Sequence, residues 1–247
     1  MRSKFLTDRA LLLEPDKILV IADLHMGLET ELYESGITVP SQMEKLRDRI
    51  DILIKETKAK QLIFLGDIKH DVKRITGLEF REIPLFFEHF IKKVKVHAIK
   101  GNHDGDLEKL VPKEVEIYDS EGFSIKNFAF IHGNAWPSRK TLDCEYIVMG
   151  HMHPAIEFWR EKFRTIEHCW VRSEINQKNL EKKFKRKSNL KTGIIMPTFN
   201  PLTGGLALNS DKKPEGIASK ILKWKDSEIF LLDGTYLGRL NEIKQQP

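Results

Sequence analysis

The chain has 247 residues, 40% of them hydrophobic and 31% charged, with a formal net charge of +5. This composition is that of a globular protein and excludes a disordered or fibrous chain, and no run approaches the roughly 18 consecutive apolar residues of a membrane span. Two cysteines, Cys144 and Cys169, exclude a disulfide framework and read as buried thiols, while the basic balance tilts weakly toward anionic partners.

Residues 1–16 carry scattered charge and no long apolar stretch, so no secretory signal is expected there and a cytoplasmic location is the default expectation. Residues 17–22 (KILVIA) form an apolar run stopped by Asp23, the pattern of a buried strand. A polar loop with Gly36 and Pro40 follows, after which Ser41 is placed to cap a helix through Met43, Leu46, Ile50, Leu53 and Ile54. Residues 61–65 (QLIFL) predict a strand, 82–94 a helix and 94–99 a strand ending at the Gly101 turn. Such alternation argues for a layered α/β domain.

The second half changes character. Residues 122–125 and 128–131 flank Lys126-Asn127 as a hairpin, and 145–149, 155–159, 168–172 and 193–196 predict strands with few helices between. Residues 219–224 and 228–232, turning at Asp226-Ser227, predict a closing hairpin. A second, β-rich sheet packed on the first is therefore expected. Residues 176–191 stand apart, with seven lysines and arginines against the single Glu181. A solvated loop and a phosphate-binding surface fit that pattern about equally.

Five blocks carry the chemistry: Asp23-Leu24-His25, Gly66-Asp67, Gly101-Asn102-His103-Asp104, His132-Gly133 and Gly150-His151-Met152-His153. Each lies just past an apolar run, where an α/β sheet collects its functional groups. Glycines beside them allow sharp turns, and an Asp-x-His pair on extended backbone would aim both side chains to one side. Singly the blocks mean little. Together they supply carboxylates, imidazoles and an amide oxygen, the donor set of hard divalent first-row metals. Six of the nine histidines fall in or beside these blocks, leaving His89, His97 and His168 to packing or surface roles.

With these blocks in this order, the chain resembles the calcineurin-like metallophosphoesterase superfamily. The resemblance implies a four-layered αββα sandwich of two mixed β-sheets flanked by helices. It implies that Asp23, His25 and His153 bind a first metal, that Asn102, His132 and His151 bind a second, and that Asp67 bridges both. It places His103 beside the scissile phosphate, with Asp104 orienting its imidazole. The histidine of Gly66-Asp67-Ile68-Lys69-His70 is similar to that of the double-strand-break repair nuclease branch, where it helps place the catalytic histidine. Residues 36–40 (GITVP) and 196–205 (MPTFNPLTGG) resemble the small PdeM-like phosphoesterases found beside DNA ligase and helicase genes. The basic segment 176–191 departs from that pattern as an insertion-like stretch within a single domain spanning 1–247.

The expected activity is hydrolysis of phosphodiester bonds, as a DNA or RNA nuclease. Two divalent ions activate a bridging hydroxide, which displaces the leaving oxygen in line and with inversion, and His103 serves as general acid. Manganese is what the branch implies, whereas an N/O shell also suits iron, zinc or nickel. A small-molecule phosphodiesterase or phosphatase acting on cyclic nucleotides or monoesters is the alternative, and a non-catalytic scaffold a lesser one. Nucleic acid is the expected partner, no membrane association is expected, and DNA-repair or RNA-processing partners and a homodimer are compatible with the resemblance.

Overall fold

The computed structural model describes residues 1–161, 163–210 and 216–243, with main chain only at 160. The strands β1 (Arg2–Phe5) and β2 (Leu11–Glu14) lead into β3 (Ile18–Ile21). Helices α1 (Leu28–Glu34) and α2 (Met43–Thr57) precede β4 (Gln61–Leu65), and α3 (Gly77–Ile91) precedes β5 (Lys95–Ile99) and β6 (Glu116–Tyr118). There follow β7 (Phe123–Ile125), β8 (Phe128–Ile131), β9 (Tyr146–Met149), β10 (Pro154–Arg160) and β11 (Phe163–Glu174). The remaining elements are α4 (Gln177–Phe184), β12 (Thr192–Ile195), β13 (Leu206–Ala207), α5 (Ala218–Ile221), β14 (Glu228–Leu231) and β15 (Tyr236–Arg239).

Two mixed sheets result, one of six strands in the order β1-β2-β3-β4-β5-β6 and one of nine built on β13-β10-β11-β12-β9-β8-β7. In the first, β3, β4, β5 and β6 run parallel. In the second, β8, β9 and β12 run parallel. Except for the edge strand β6, these strands are buried on both faces, which is why they read as continuous apolar runs. Alternate residues divide between layers: Ile18, Val20, Ile63, Leu65 and Ile99 meet Phe128, Phe130, Val148, Trp170 and Ile194 between the sheets. Leu19, Ile21, Leu62 and Phe64 pack outward against Leu46 and Ile50 of α2 and Ile83, Phe86 and Phe87 of α3. On the far side, Ile147, Met149, Val171 and Ile195 pack against Leu180 and Phe184 of α4 and Ile221 of α5. The four layers are α, β, β, α.

Several local expectations are corrected. The polar loop after β3 contains α1. Helix α2 has Gln42 as its cap residue, although the Ser41 hydroxyl does accept from Met43 N–H at 3.2 Å. Helix α3 starts at Gly77, not 82, because Thr76 and Glu79 form a reciprocal capping box that outweighs a glycine in the first turn. Residues 219–224 are not a strand. Ala218, Ile221 and Leu222 are buried at helical spacing, giving α5, and the closing hairpin is β14–β15 instead. Residues 177–184 of the basic segment are helical, capped by the Asn176 side chain on Asn179 N–H. Both cysteines are buried free thiols, and no described helix is long and apolar enough to cross a membrane.

Candidate metal centre

The five blocks converge because they follow the carboxyl ends of β3, β4 and β5 in one sheet and β8 and β9 in the other. Their side chains meet where the two sheets face each other. Extended backbone does not achieve this. Asp23, His25, Asp67, His151 and His153 all have positive φ, between 44° and 72°. Each such residue costs roughly 1–2 kcal/mol, and this kind of strain clusters at functional sites. Glycine is required at two neighbouring points. A Cβ at Gly66, where φ is +82°, would stand 2.6 Å from His132 Cγ, and one at Gly101 would collide with Asp67.

Among the described residues, Asp23, His25 and His153 present ligand atoms all within 4.8 Å of one another, and so do Asp67, His132 and His151. His25 Nε2 lies 3.2 Å from His153 Nε2. His132 Nε2 lies 3.2 Å from Asn102 Oδ1, 3.2 Å from His151 Nδ1 and 3.3 Å from Asp67 Oδ2. Asp67 Oδ2 is also 3.7 Å from His25 Nε2, so one carboxylate oxygen stands between the two clusters. Donors bound to one ion at about 2.0–2.2 Å lie roughly 3.0–3.6 Å apart, so the spacing of these N and O atoms fits divalent cations. His132 Nδ1 donates to Leu65 O at 2.6 Å, which leaves Nε2 free to face the site.

The electrostatics agree. Burial raises Asp23 and Asp67, but the surrounding imidazoles of His153 and His132 outweigh it and hold both carboxyls below their ordinary range. Burial and the neighbouring His153 push His25 down to about 3, leaving it a neutral donor. Against burial, the Asp67 and Asp23 carboxylates lift His132 to about 9, and Asp23 raises His153. Protons on these imidazoles thus balance two buried carboxylates, a task that divalent cations take over on binding.

His103 donates from Nδ1 to the His70 carbonyl, and its Nε2 lies 3.9 Å from Asp67 Oδ2. Asp104 is bonded to main chain and not to that imidazole. Its carboxylate accepts from the Ile68, Lys69 and Gly101 N–H groups at 2.9, 3.0 and 2.8 Å, tying the turn after β5 to the loop after β4. Burial, reinforced by the Asp67 charge, raises Asp104 to about 6. His70 Nδ1 lies 3.3 Å from His25 Nδ1, and its Nε2 lies 2.7 Å from Glu31 Oε2. His25, His70 and His103 form a third imidazole group within 4.8 Å. Glu31 carried no sequence signal, because α1 itself was not legible. A cavity of about 310 Å³ opens over the site, lined by His25, Asn102, His103, His151, Gly204 and Leu206 among others. His89 and His97 sit elsewhere, paired with Asp51 and Glu116.

The calcineurin-like phosphoesterase family model matches residues 16–183. No curated protein matches the chain. Among solved structures, nuclease MPE of Pseudomonas putida is similar in fold, with a TM-score of 0.59 at 22% identity over 92% of this chain and 90% of that one. Yfce, a phosphoesterase from E. coli, has a TM-score of 0.42 at 14% identity over 90% of this chain and 97% of its own. An archaeal phosphodiesterase has a TM-score of 0.34 at 18% identity over 60% of this chain and 81% of its own.

Proposed function

The chain belongs to the calcineurin-like phosphoesterase family and is a metal-dependent phosphoesterase; from that premise we propose that its substrate is a phosphodiester of DNA or RNA. Asp23, His25 and His153 would hold the first ion and Asn102, His132 and His151 the second, with Asp67 shared. Manganese is the ion we favour, and iron, zinc and nickel suit the same donors. Bound there, the pair supplies a nucleophile at neutral pH and neutralises charge on the reacting phosphate.

His103 does the rest. With Nδ1 committed to the His70 carbonyl, its Nε2 is the nitrogen left for the cavity. A proton held at Nε2 is available to the departing oxygen, which makes His103 the general acid. His70 steadies it through that main-chain carbonyl, while its imidazole lies against His25 and Glu31, and the histidine at this position is what the sequence shares with the repair-nuclease branch.

The observation that favours a polymeric substrate is the surface of α4 and the turn after it. Lys178, Lys182, Lys185 and Lys187 are exposed, and among the described residues none has a carboxylate within ion-pair distance. Helix α4 docks on α5 through Asn179 Nδ2 to Lys220 O, and Ile217 N–H just before α5 bonds Gly133 O beside His132. These two bonds form a chain of contacts from α4 through α5 to the residue that follows His132. The nuclease activity named for the Pseudomonas putida protein agrees with this reading.

A cavity of about 310 Å³ also suits a small diester or monoester, the second reading. Single-stranded DNA, RNA, 2′,3′-cyclic nucleotides, phosphomonoesters and a chromogenic diester, each assayed with manganese and a His103→Ala control, separate the two. We expect polynucleotide cleavage that weakens steeply with salt. Replacing the four α4-region lysines by alanine should weaken it further while sparing the chromogenic diester. Turnover confined to cyclic nucleotides or monoesters would replace the first reading with the second.

A further inference from the structure

The stretch 196–205 reaches the cavity only through its terminal glycines, yet its polar side chains are among the most buried in the molecule. Thr198, Asn200 and Thr203 are 0%, 1% and 8% exposed. None of them faces the cavity as a ligand. Their bonds go to the main chain of the Asp23-Leu24-His25 turn. Phe199 N–H donates to Ala22 O at 2.8 Å, the Thr198 hydroxyl to Asp23 O at 2.9 Å, and Asn200 Nδ2 to Leu24 O at 2.8 Å. Thr203 Oγ1 lies 2.6 Å from Thr198 Oγ1 and 2.7 Å from Asn200 O, and its single proton is shared between these two acceptors, bracing both. A little further on, Leu206 N–H donates to His153 O at 2.8 Å.

The turn they grip is itself strained, with φ of 58° at Asp23 and 44° at His25. Its N–H side is held by the loop after β4, through Asp23 N–H to Gly66 O at 3.2 Å and His25 N–H to Asp67 O at 2.8 Å. Among the described residues its carbonyl side has no strand partner at Asp23 and Leu24 and depends there on Thr198 and Asn200. The grip is itself anchored from outside, by Arg9 Nη1 on Thr198 O at 3.2 Å and Arg49 Nη1 on Phe199 O at 3.0 Å. The second cluster has further supports of its own, the His132 Nδ1 bond to Leu65 O and Asp104 beneath Asn102, and meets the gripped turn where His151 N–H donates to the Asp23 carboxylate at 3.1 Å.

We propose that residues 198–206 form a positioning clamp centred on the first ion, fixing Asp23 and His25 through the carbonyls of their turn and His153 through its own carbonyl. A bent backbone of this kind persists only where its surroundings over-determine it. Without the Thr198 and Asn200 donors, the Asp23 and Leu24 carbonyls are buried without partners, and the turn relaxes toward ordinary φ. Asp23 and His25 then swing out of register with His153. The inference rests on the proposed assignment of those three residues to one ion.

The test is calorimetric titration of the metal-stripped protein with manganese, paired with the denaturation midpoint in chelator. Thr198→Val keeps shape and removes the donor. Thr198→Ser keeps the donor, and Asn200→Leu removes the second one. We expect two ions on the wild type. On Thr198→Val and Asn200→Leu, one ion should bind at least tenfold more weakly and the other should weaken by less than about threefold. Thr198→Ser should restore both to within about twofold, which a purely structural role would not separate. If Thr198→Val does not fold, Thr203→Val, which removes only the brace, is read in the same way. Wild-type binding of both ions, or equal weakening of both, overturns the clamp. A wild type that takes up fewer than two ions overturns the binuclear assignment instead.

Discussion

Asp104→Ala isolates what the buried carboxylate under the Gly101–Asp104 turn contributes. Its two oxygens accept three backbone N–H bonds, from Ile68, Lys69 and Gly101, at 2.8–3.0 Å, and the residue is 1% exposed. Truncation leaves three donors in the protein interior, each costing about 1–2 kcal/mol when unpaired, so the variant should lose roughly 3–6 kcal/mol. That is a large share of the ~5–15 kcal/mol by which a domain is stable. Asp104→Asn retains an acceptor oxygen but sets its NH₂ against a backbone donor, so it should lose about half as much. Urea unfolding followed by circular dichroism, in chelator and again with manganese, measures both losses. Asn102 and His103 ride on the same turn, so turnover should fall even where each variant is fully folded. A loss under about 1 kcal/mol for Asp104→Ala, with normal turnover, would refute the view that this carboxylate holds the two loops together.

Three further outcomes are expected. His103→Ala should retain both ions by mass-spectrometric metal analysis and lose about 10²- to 10⁴-fold in kcat; equal metal loss here and in Asp67→Ala would break the separation of roles. Asp67→Ala removes the oxygen shared by both clusters and should not retain two ions after gel filtration. Because Asp67 and Asp23 raise His132 to about 9, ions must displace its proton at neutral pH. Manganese affinity should therefore rise with pH toward 9, with about one proton or more released per protein at pH 7.5, seen as buffer-dependent heats of binding. In the metal-free protein the sign reverses. The stability that protonated His132 contributes is full below its unfolded value near 6.5 and is lost as pH rises through about 9. A pH-independent metal affinity would remove His132 from the ligand set.

Local signals were strongest where strands are sandwiched. Residues of β3, β4, β5, β8, β9 and β12 are buried on both faces, so their apolar runs are unbroken and their ends are sharply marked. The chemical blocks follow five of those ends, and so the candidate ligands were legible before any geometry. Where burial is one-sided or partial, the pattern fades. Exposed β1, the seven-residue α1 with its three glutamates, and the four-residue α5 gave too few periodic positions to read.

Residue order thus determined the layered α/β class, the donor set for a pair of cations and the presence of a basic stretch, because each depends on side-chain chemistry close along the chain. Tertiary structure alone decided the rest. The left-handed turns that aim the ligands, the bonding of Asp104 to backbone N–H groups instead of His103, the reach of Glu31 to His70, and the grip of Thr198 and Asn200 on residues some 175 positions earlier all join distant segments. Such bonds exist only once two sheets have packed and left buried polar groups to be satisfied, a condition that no local spacing encodes.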